Sequence, residues 1–167
     1  MNSVFLIVGG NLGNRKKNLQ TAATFIDEQV GTIIQSSKIY ETEPWGLSDQ
    51  PAFYNQVHLV KSKLGAQTII DTILEIEEKM GRVRTIKNAA RIIDIDILFF
   101  NEEIIDEPNL IIPHREIANR RFVLMPLNEI APLMIHPVVK KNISELLSEC
   151  KDQLKVLHYL NEIPTCF

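Results

Sequence analysis

Residues 4–8 form an unbroken apolar run that follows Ser3 and ends at Gly9-Gly10-Asn11. The run is too short to cross a membrane or to act as a secretion signal, so the pattern predicts a first strand. After the turn-rich stretch to Asn14 a helical period takes over. Leu19, Ala22, Ala23 and Ile26 share one face across 15–28, and Gly31 closes the unit. A second strand is predicted over 32–40. From 41 to 52 the periodicity fails, and Pro44, Gly46 and Pro51 mark a long loop of the kind a compact domain keeps for a use. Residues 53–60 read as strand again. Ile69, Ile70, Ile73, Leu74 and Ile76 then line a broad apolar face on a helix over 66–80, with Gly81 placed as its C-terminal cap. A polar segment precedes one more strand, which gives the order β-α-β-β-α-β. This is the split βαβ unit of an α+β, ferredoxin-like fold, an antiparallel sheet with both helices on one face. Beyond it, Asn101-Glu102-Glu103 predicts a turn and Ile104-Ile105 a short strand. Residues 111–114 read as extended, 115–129 carry mixed helical signals, and 143–150 predict a last short helix, together a C-terminal α/β extension.

The last strand of the unit holds the candidate chemistry. Arg91-Ile92-Ile93-Asp94-Ile95-Asp96-Ile97-Leu98-Phe99-Phe100 places two carboxylates two residues apart in a β-branched run. Alternation puts Asp94 and Asp96 on one face and Ile93, Ile95 and Ile97 on the other. Two like charges one pleat apart call for a cation, and a divalent metal completed by water and substrate phosphates fits. The same pattern also suits the solvated face of an edge strand. Immediately upstream, Gly81-Arg82-Val83-Arg84-Thr85-Ile86-Lys87-Asn88-Ala89-Ala90-Arg91 carries four cations and no acid. Arginines matched to phosphate oxygens beside a metal-type strand favour a polyphosphate site.

Composition narrows the partners. With 167 residues, 45% of them hydrophobic, the chain is expected to form one domain over 1–167 with a full core. A net charge of −3 argues against a nucleic-acid-wrapping surface. Cys150 and Cys166 lack metal-ligand spacing and fit reduced thiols in the cytoplasm. No GxxxxGK[ST] motif is present, which excludes a P-loop kinase. Two classes compete with a small-molecule phosphoryl-transfer enzyme: a palm-type nucleotidyl transferase or cyclase, which also sets two carboxylates on a βαββαβ sheet, and a ligand-binding regulatory module, which leaves the acids and arginines unexplained.

Six motifs in order carry a family resemblance: Gly9-Gly10-Asn11-Leu12-Gly13, Tyr40-Glu41-Thr42-Glu43-Pro44-Trp45-Gly46, Asp49-Gln50-Pro51-Ala52-Phe53-Tyr54-Asn55, Gly81-Arg82-Val83-Arg84, Arg91 with Asp94 and Asp96, and Pro113-His114 followed by Asn119-Arg120-Arg121-Phe122. The chain resembles the 6-hydroxymethyl-7,8-dihydropterin pyrophosphokinases of folate biosynthesis. The resemblance implies transfer of pyrophosphate from ATP to the pterin hydroxymethyl group with release of AMP. It also implies two Mg²⁺ ions held by Asp94 and Asp96, and a monomer that engages small molecules, with no nucleic acid and no membrane. By position, Arg82 and Arg91 would act in catalysis. Glu77, Arg82, Arg84, Arg91, Ile97, His114 and Arg120 would line the ATP site. Thr42, Pro44, Trp45, Phe53, Asn55 and Phe122 would hold the pterin, the two phenylalanines stacking on its faces and the Asn55 amide reading its edge. The chain departs from the family in carrying Asn88-Ala89-Ala90 where many members have aromatic-Gly-Pro, and Ile111 where some have a hydroxyl.

Overall fold

The computed structural model describes residues 1–44 and 49–159. Strand β1 (Asn2–Gly10) is the centre of an antiparallel sheet, flanked by β4 (Phe53–Ser62) and β5 (Asp94–Phe100). Val4, Leu6 and Val8 of β1 point to a core shared with α1 (Arg15–Gln29) and α2 (Ala66–Lys79). Phe5 and Ile7 point to a second core on the opposite face, shared with α3 (Arg121–Ile130) and α4 (Ile143–Glu149). Burial on both faces is why β1 reads as a continuous apolar run rather than an alternating one.

The strand expected over 32–40 is two. β2 (Thr32–Ser36) pairs with the far half of β4, and β3 (Tyr40–Thr42) pairs with its near half. Ser37 breaks them apart, because its hydroxyl accepts the Val57 main-chain N–H at 3.0 Å while its own N–H donates to Val57 O at 2.9 Å. The hydroxyl takes the acceptor place that the Ser37 carbonyl would hold in a regular ladder, and that carbonyl instead accepts from Gln56 Nε2 at 2.8 Å. The long loop therefore begins after Thr42, not at Glu41.

Helix α1 starts where Asn14 accepts the Lys17 N–H, and it buries Leu19, Ala22 and Ile26. Helix α2 buries Ile69, Ile73 and Ile76, whereas Leu74 is exposed. Gly81 has φ of +87°, a left-handed turn that a side chain would strain, and it sends Arg82 back over the helix end, where the Arg82 N–H donates to Glu77 O.

A register shift between Phe5 and Leu6 marks a bulge opposite Leu98. Before it, Ile93, Ile95 and Ile97 pack on the α1/α2 side; after it, Leu98 and Phe99 both face α3 and α4. β6 (Ile105–Glu107) and β7 (Leu110–Ile112) form a separate hairpin. The mixed helical signals of 115–129 resolve into a 3-10 turn (Ile117–Asn119) and α3, which has Pro126 inside it. The pattern did not predict β8 (Val156–His158), which pairs with β3 at the sheet edge. Among the described residues no helix is long and apolar enough to cross a membrane.

Candidate active site

At the β3 ends of β1, β4 and β5 the sheet face towards α3 is not covered, and a pocket opens there. Phe53 and Asn55 come from β4, Thr42 from β3, and Phe122 from the first turn of α3. Asn55 is 5% exposed and its amide donates to Thr42 Oγ1 at 3.0 Å, which fixes the plane of the amide against the pocket wall. Gly9 makes this possible: a Cβ there would lie 2.1 Å from Asn55 Oδ1. The Arg91 guanidinium lies 4.7 Å from the centre of the Phe53 ring.

A second, wider cleft runs along residues 82–91 and past Ile111, Arg115 and Glu116. Asn88, Arg91, Asp94, Asp96, His114 and Arg120 belong to both spaces. The carboxylate pair thus sits at the junction of an aromatic, amide-bearing pocket and a basic cleft.

The electrostatics of the pair are uneven. Asp94 is gripped from two sides: Arg82 donates to Oδ1 at 2.7 Å, and Arg91 reaches Oδ2 with Nε at 3.2 Å and its terminal nitrogen at 3.1 Å. Asp96 is pushed up to about 7, first by burial and then by the charges of Asp94 and Glu77, which outweigh Arg82 and Arg91. Glu77, 3% exposed on α2, accepts the Ile95 main-chain N–H at 2.8 Å and pairs with Arg82 at 3.0 Å and Arg84 at 2.9 Å. Burial pushes its carboxyl up, against the pull of Ile95 and Arg82. Its side chain is therefore a tie between α2, β5 and the basic segment.

His114 follows the Pro113 turn, and its Nδ1 accepts the Glu116 N–H at 3.2 Å, which leaves Nε2 as the protonated donor. Burial, and then Arg120, hold its pKa below the ordinary value. Arg120 itself approaches Glu116 at 3.8 Å and lies 5.8 Å from the Phe122 ring centre.

Most of the expected residues converge here, with four exceptions. Glu77, expected at the nucleotide, lines neither space, its carboxylate being taken up by Arg82, Arg84 and the Ile95 N–H. Pro44 does not line either space. Trp45 lies outside the described residues. Ile97, expected at the nucleotide, has its side chain 4% exposed in the α1/α2 core, on the face opposite the carboxylates, so only its main chain is available to a ligand. Conversely, Asn11 was not singled out. It is 2% exposed, accepts the Arg91 N–H at 2.9 Å, and donates to Gln50 Oε1 and Pro51 O, both at 2.9 Å. Gln50 in turn donates to Asn88 O at 2.8 Å. An Asn directly after a Gly-Gly strand end was the available signal, since such an amide must find partners.

Among the described residues no group of three or more His, Cys, Asp or Glu is arranged to hold a metal ion. Two carboxylates facing a basic cleft fit a hard divalent cation that takes its remaining oxygens from water and phosphate.

Residues 5–132 match the model of the 7,8-dihydro-6-hydroxymethylpterin-pyrophosphokinase family. The chain belongs to that family. The 2-amino-4-hydroxy-6-hydroxymethyldihydropteridine pyrophosphokinase of Pseudomonas aeruginosa is 34% identical over 148 residues, covering 88% of this chain and 91% of the relative. The folic acid synthesis protein fol1 of Pneumocystis carinii is 36% identical over 150 residues, and there the chain spans 90% of itself but only 20% of the relative. In shape, the chain resembles the crystal structure of Plasmodium falciparum HPPK-DHPS with a TM-score of 0.73 at 22% identity, covering 89% of this chain and 43% of that one. The HPPK family match includes β1 through α3, and so every element that lines the two spaces described above.

Proposed function

We propose that the chain transfers pyrophosphate from ATP to the hydroxymethyl group of 6-hydroxymethyl-7,8-dihydropterin, releasing AMP, as a step of folate biosynthesis. The observation that carries this reading is the position of Asp94 and Asp96 between the aromatic pocket and the basic cleft. A pterin in the pocket would stack between Phe53 and Phe122 and present its edge to Asn55, with its hydroxymethyl arm towards the carboxylates. The triphosphate would lie along the cleft on Arg82, Arg84 and Arg91, with His114 Nε2 and Arg120 as further donors. The pterin oxygen then attacks the β-phosphorus as the bond to the α,β-bridging oxygen breaks.

Two Mg²⁺ ions on Asp94 and Asp96 would neutralise charge building on the phosphoryl oxygens. The chain's own contribution is positioning. Arg82 and Arg91 pair with Asp94, and a triphosphate in the cleft would take these guanidinium groups over while Glu77 holds the base of the segment. The split βαβ core is taken as ferredoxin-like, and the chain as one monomeric, cytoplasmic domain. The test supplies ATP, Mg²⁺ and the reduced pterin alcohol and separates the nucleotides produced. AMP in step with pterin pyrophosphate supports the reading, and ADP overturns it.

A further inference from the structure

The two walls of the aromatic pocket come from elements far apart in sequence, β3 with Thr42 and Glu43 on one side and α3 with Phe122 on the other. At the distal end they are tied directly: Tyr40 Oη donates to Glu129 Oε2 at 2.6 Å, and the Lys38 N–H donates to the same carboxylate. At the pocket end the tie runs through the C-terminal segment. Asp152 Oδ2 accepts the Arg121 N–H at 2.9 Å, and Oδ1 accepts the Leu154 N–H at 2.9 Å. The residue at the N-cap of α3, Arg120, makes no side-chain capping bond, so Asp152 supplies the cap from 31 residues away. Three residues later the same segment reaches the other wall. Glu43 N–H donates to Lys155 O and Lys155 N–H to Glu43 Oε2, each at 3.3 Å, and Val156, Leu157 and His158 then pair with Thr42, Glu41 and Tyr40.

We infer that residues 152–159 are a positioning strap for the pterin pocket, with Asp152 as the residue that sets the first turn of α3, and so Phe122, against the Thr42 wall. The inference rests on the pterin reading of that pocket. The strap contributes little core: Leu157 is 50% exposed, His158 is exposed, and of the segment only Tyr159 packs against either apolar cluster. It also lies beyond residue 132, where the family match ends. A cap and a pair of strand bonds with so little burial behind them do more for orientation than for stability. Asp152 touches no part of either cleft, so it acts through Arg121 and Glu43 and not on substrate.

The experiment compares the full-length wild type with Asp152→Ala and Asp152→Asn, reading KM for each substrate, kcat, and amide exchange over 40–43 and 120–124. The expected result is a five- to tenfold rise in pterin KM for Asp152→Ala, ATP KM and kcat within about twofold, and at least threefold faster exchange in both segments. Asp152→Asn, which keeps an acceptor, should return all of these to near wild type. If Asp152→Ala does not fold, Asp152→Glu, with its carboxylate displaced by one methylene, is judged by the same criteria. Unchanged pterin KM, an equal rise in both KM values, or faster exchange in only one segment overturns the strap. A wild type that releases no AMP would instead refute the proposed function, and the exchange measurement would still decide the strap.

Discussion

Removing either carboxylate should abolish turnover, but the two removals should move stability in opposite directions. Asp96 carries a burdened charge: a rise from 3.8 to about 7 sets against its ionised form a penalty of about 4 kcal/mol at full burial, which contact with pocket water reduces to about 2 kcal/mol. Asp96→Asn removes that penalty and should stabilise the metal-free protein by about 1–2 kcal/mol at pH 8. Because the folded group is the weaker acid, the gain is full above pH 7 and vanishes as pH falls towards 4. Asp94 is the opposite case, held by Arg82 and Arg91 with side-chain exposures of 24%, 14% and 22%. Asp94→Asn leaves two part-buried guanidinium groups facing each other and should cost about 1–2 kcal/mol. On the proposed function both variants should lose on the order of a thousandfold in AMP release, since each carboxylate would act on charge that develops in the transition state. Urea midpoints at pH 8 and pH 5, taken with chelator, report the first effect, and nucleotide separation the second. If the two variants are destabilised alike at pH 8, the pair is not frustrated and its assignment as a cation site fails.

Gly9→Ala should displace the Asn55 amide, because the new Cβ would stand 2.1 Å from Oδ1; calorimetry should show pterin affinity falling at least tenfold with Mg-ATP affinity nearly unchanged, and equal losses would refute the division of the site. Within the basic segment Arg82 and Arg91 are pinned to Asp94 while Val83 and Ile86 are 76% and 70% exposed, so amides 83–88 should exchange quickly in the free protein and slowly with a non-hydrolysable ATP analogue, Mg²⁺ and pterin; equal protection in both states would make the segment a preformed cradle. His58 is 2% exposed, its Nε2 lacks a partner, and burial pushes it down to about 4 from 6.5. The unfolded chain binds the proton below about pH 6.5 and the folded chain does not, so stability should be full above that pH and fall by up to about 3 kcal/mol towards pH 4; a wild-type pH curve parallel to that of His58→Leu would sink this.

Both helices and most strands up to β5 were legible because their signals are local. Period 3.6 in α1 and α2, continuous apolar strands, and a glycine at φ of +87° after α2 each act over a few residues. What stayed hidden depends on distant partners. Ser37 divides a strand only because Val57 lies across from it, and β8 is a strand only because β3 offers an open edge. Three residues with 50% exposure at Leu157 have no periodic signature of their own. Pro126 blurred the reading of α3, although the helix continues through it.

Much the same holds for the site, with one instructive difference. Asp94 and Asp96 were legible because carboxylates inside an apolar strand demand a counter-charge, and the basic segment beside them named its sign. What the sequence could not distinguish was which of the two the arginines hold in the absence of ligand. Arg82 is directed by the left-handed turn at Gly81 and by Glu77, and Arg91 by Asn11, and these restraints converge on Asp94 and not on Asp96, although both carboxylates line the same two spaces. A pair that looks symmetric in sequence is therefore asymmetric in energy. One carboxylate holds the two arginines, and the other is left underpaired. On the proposed function, nucleotide binding would exchange one set of charge pairs for another instead of adding charge to a bare site, and release of the basic segment would be coupled to binding of the metal ions.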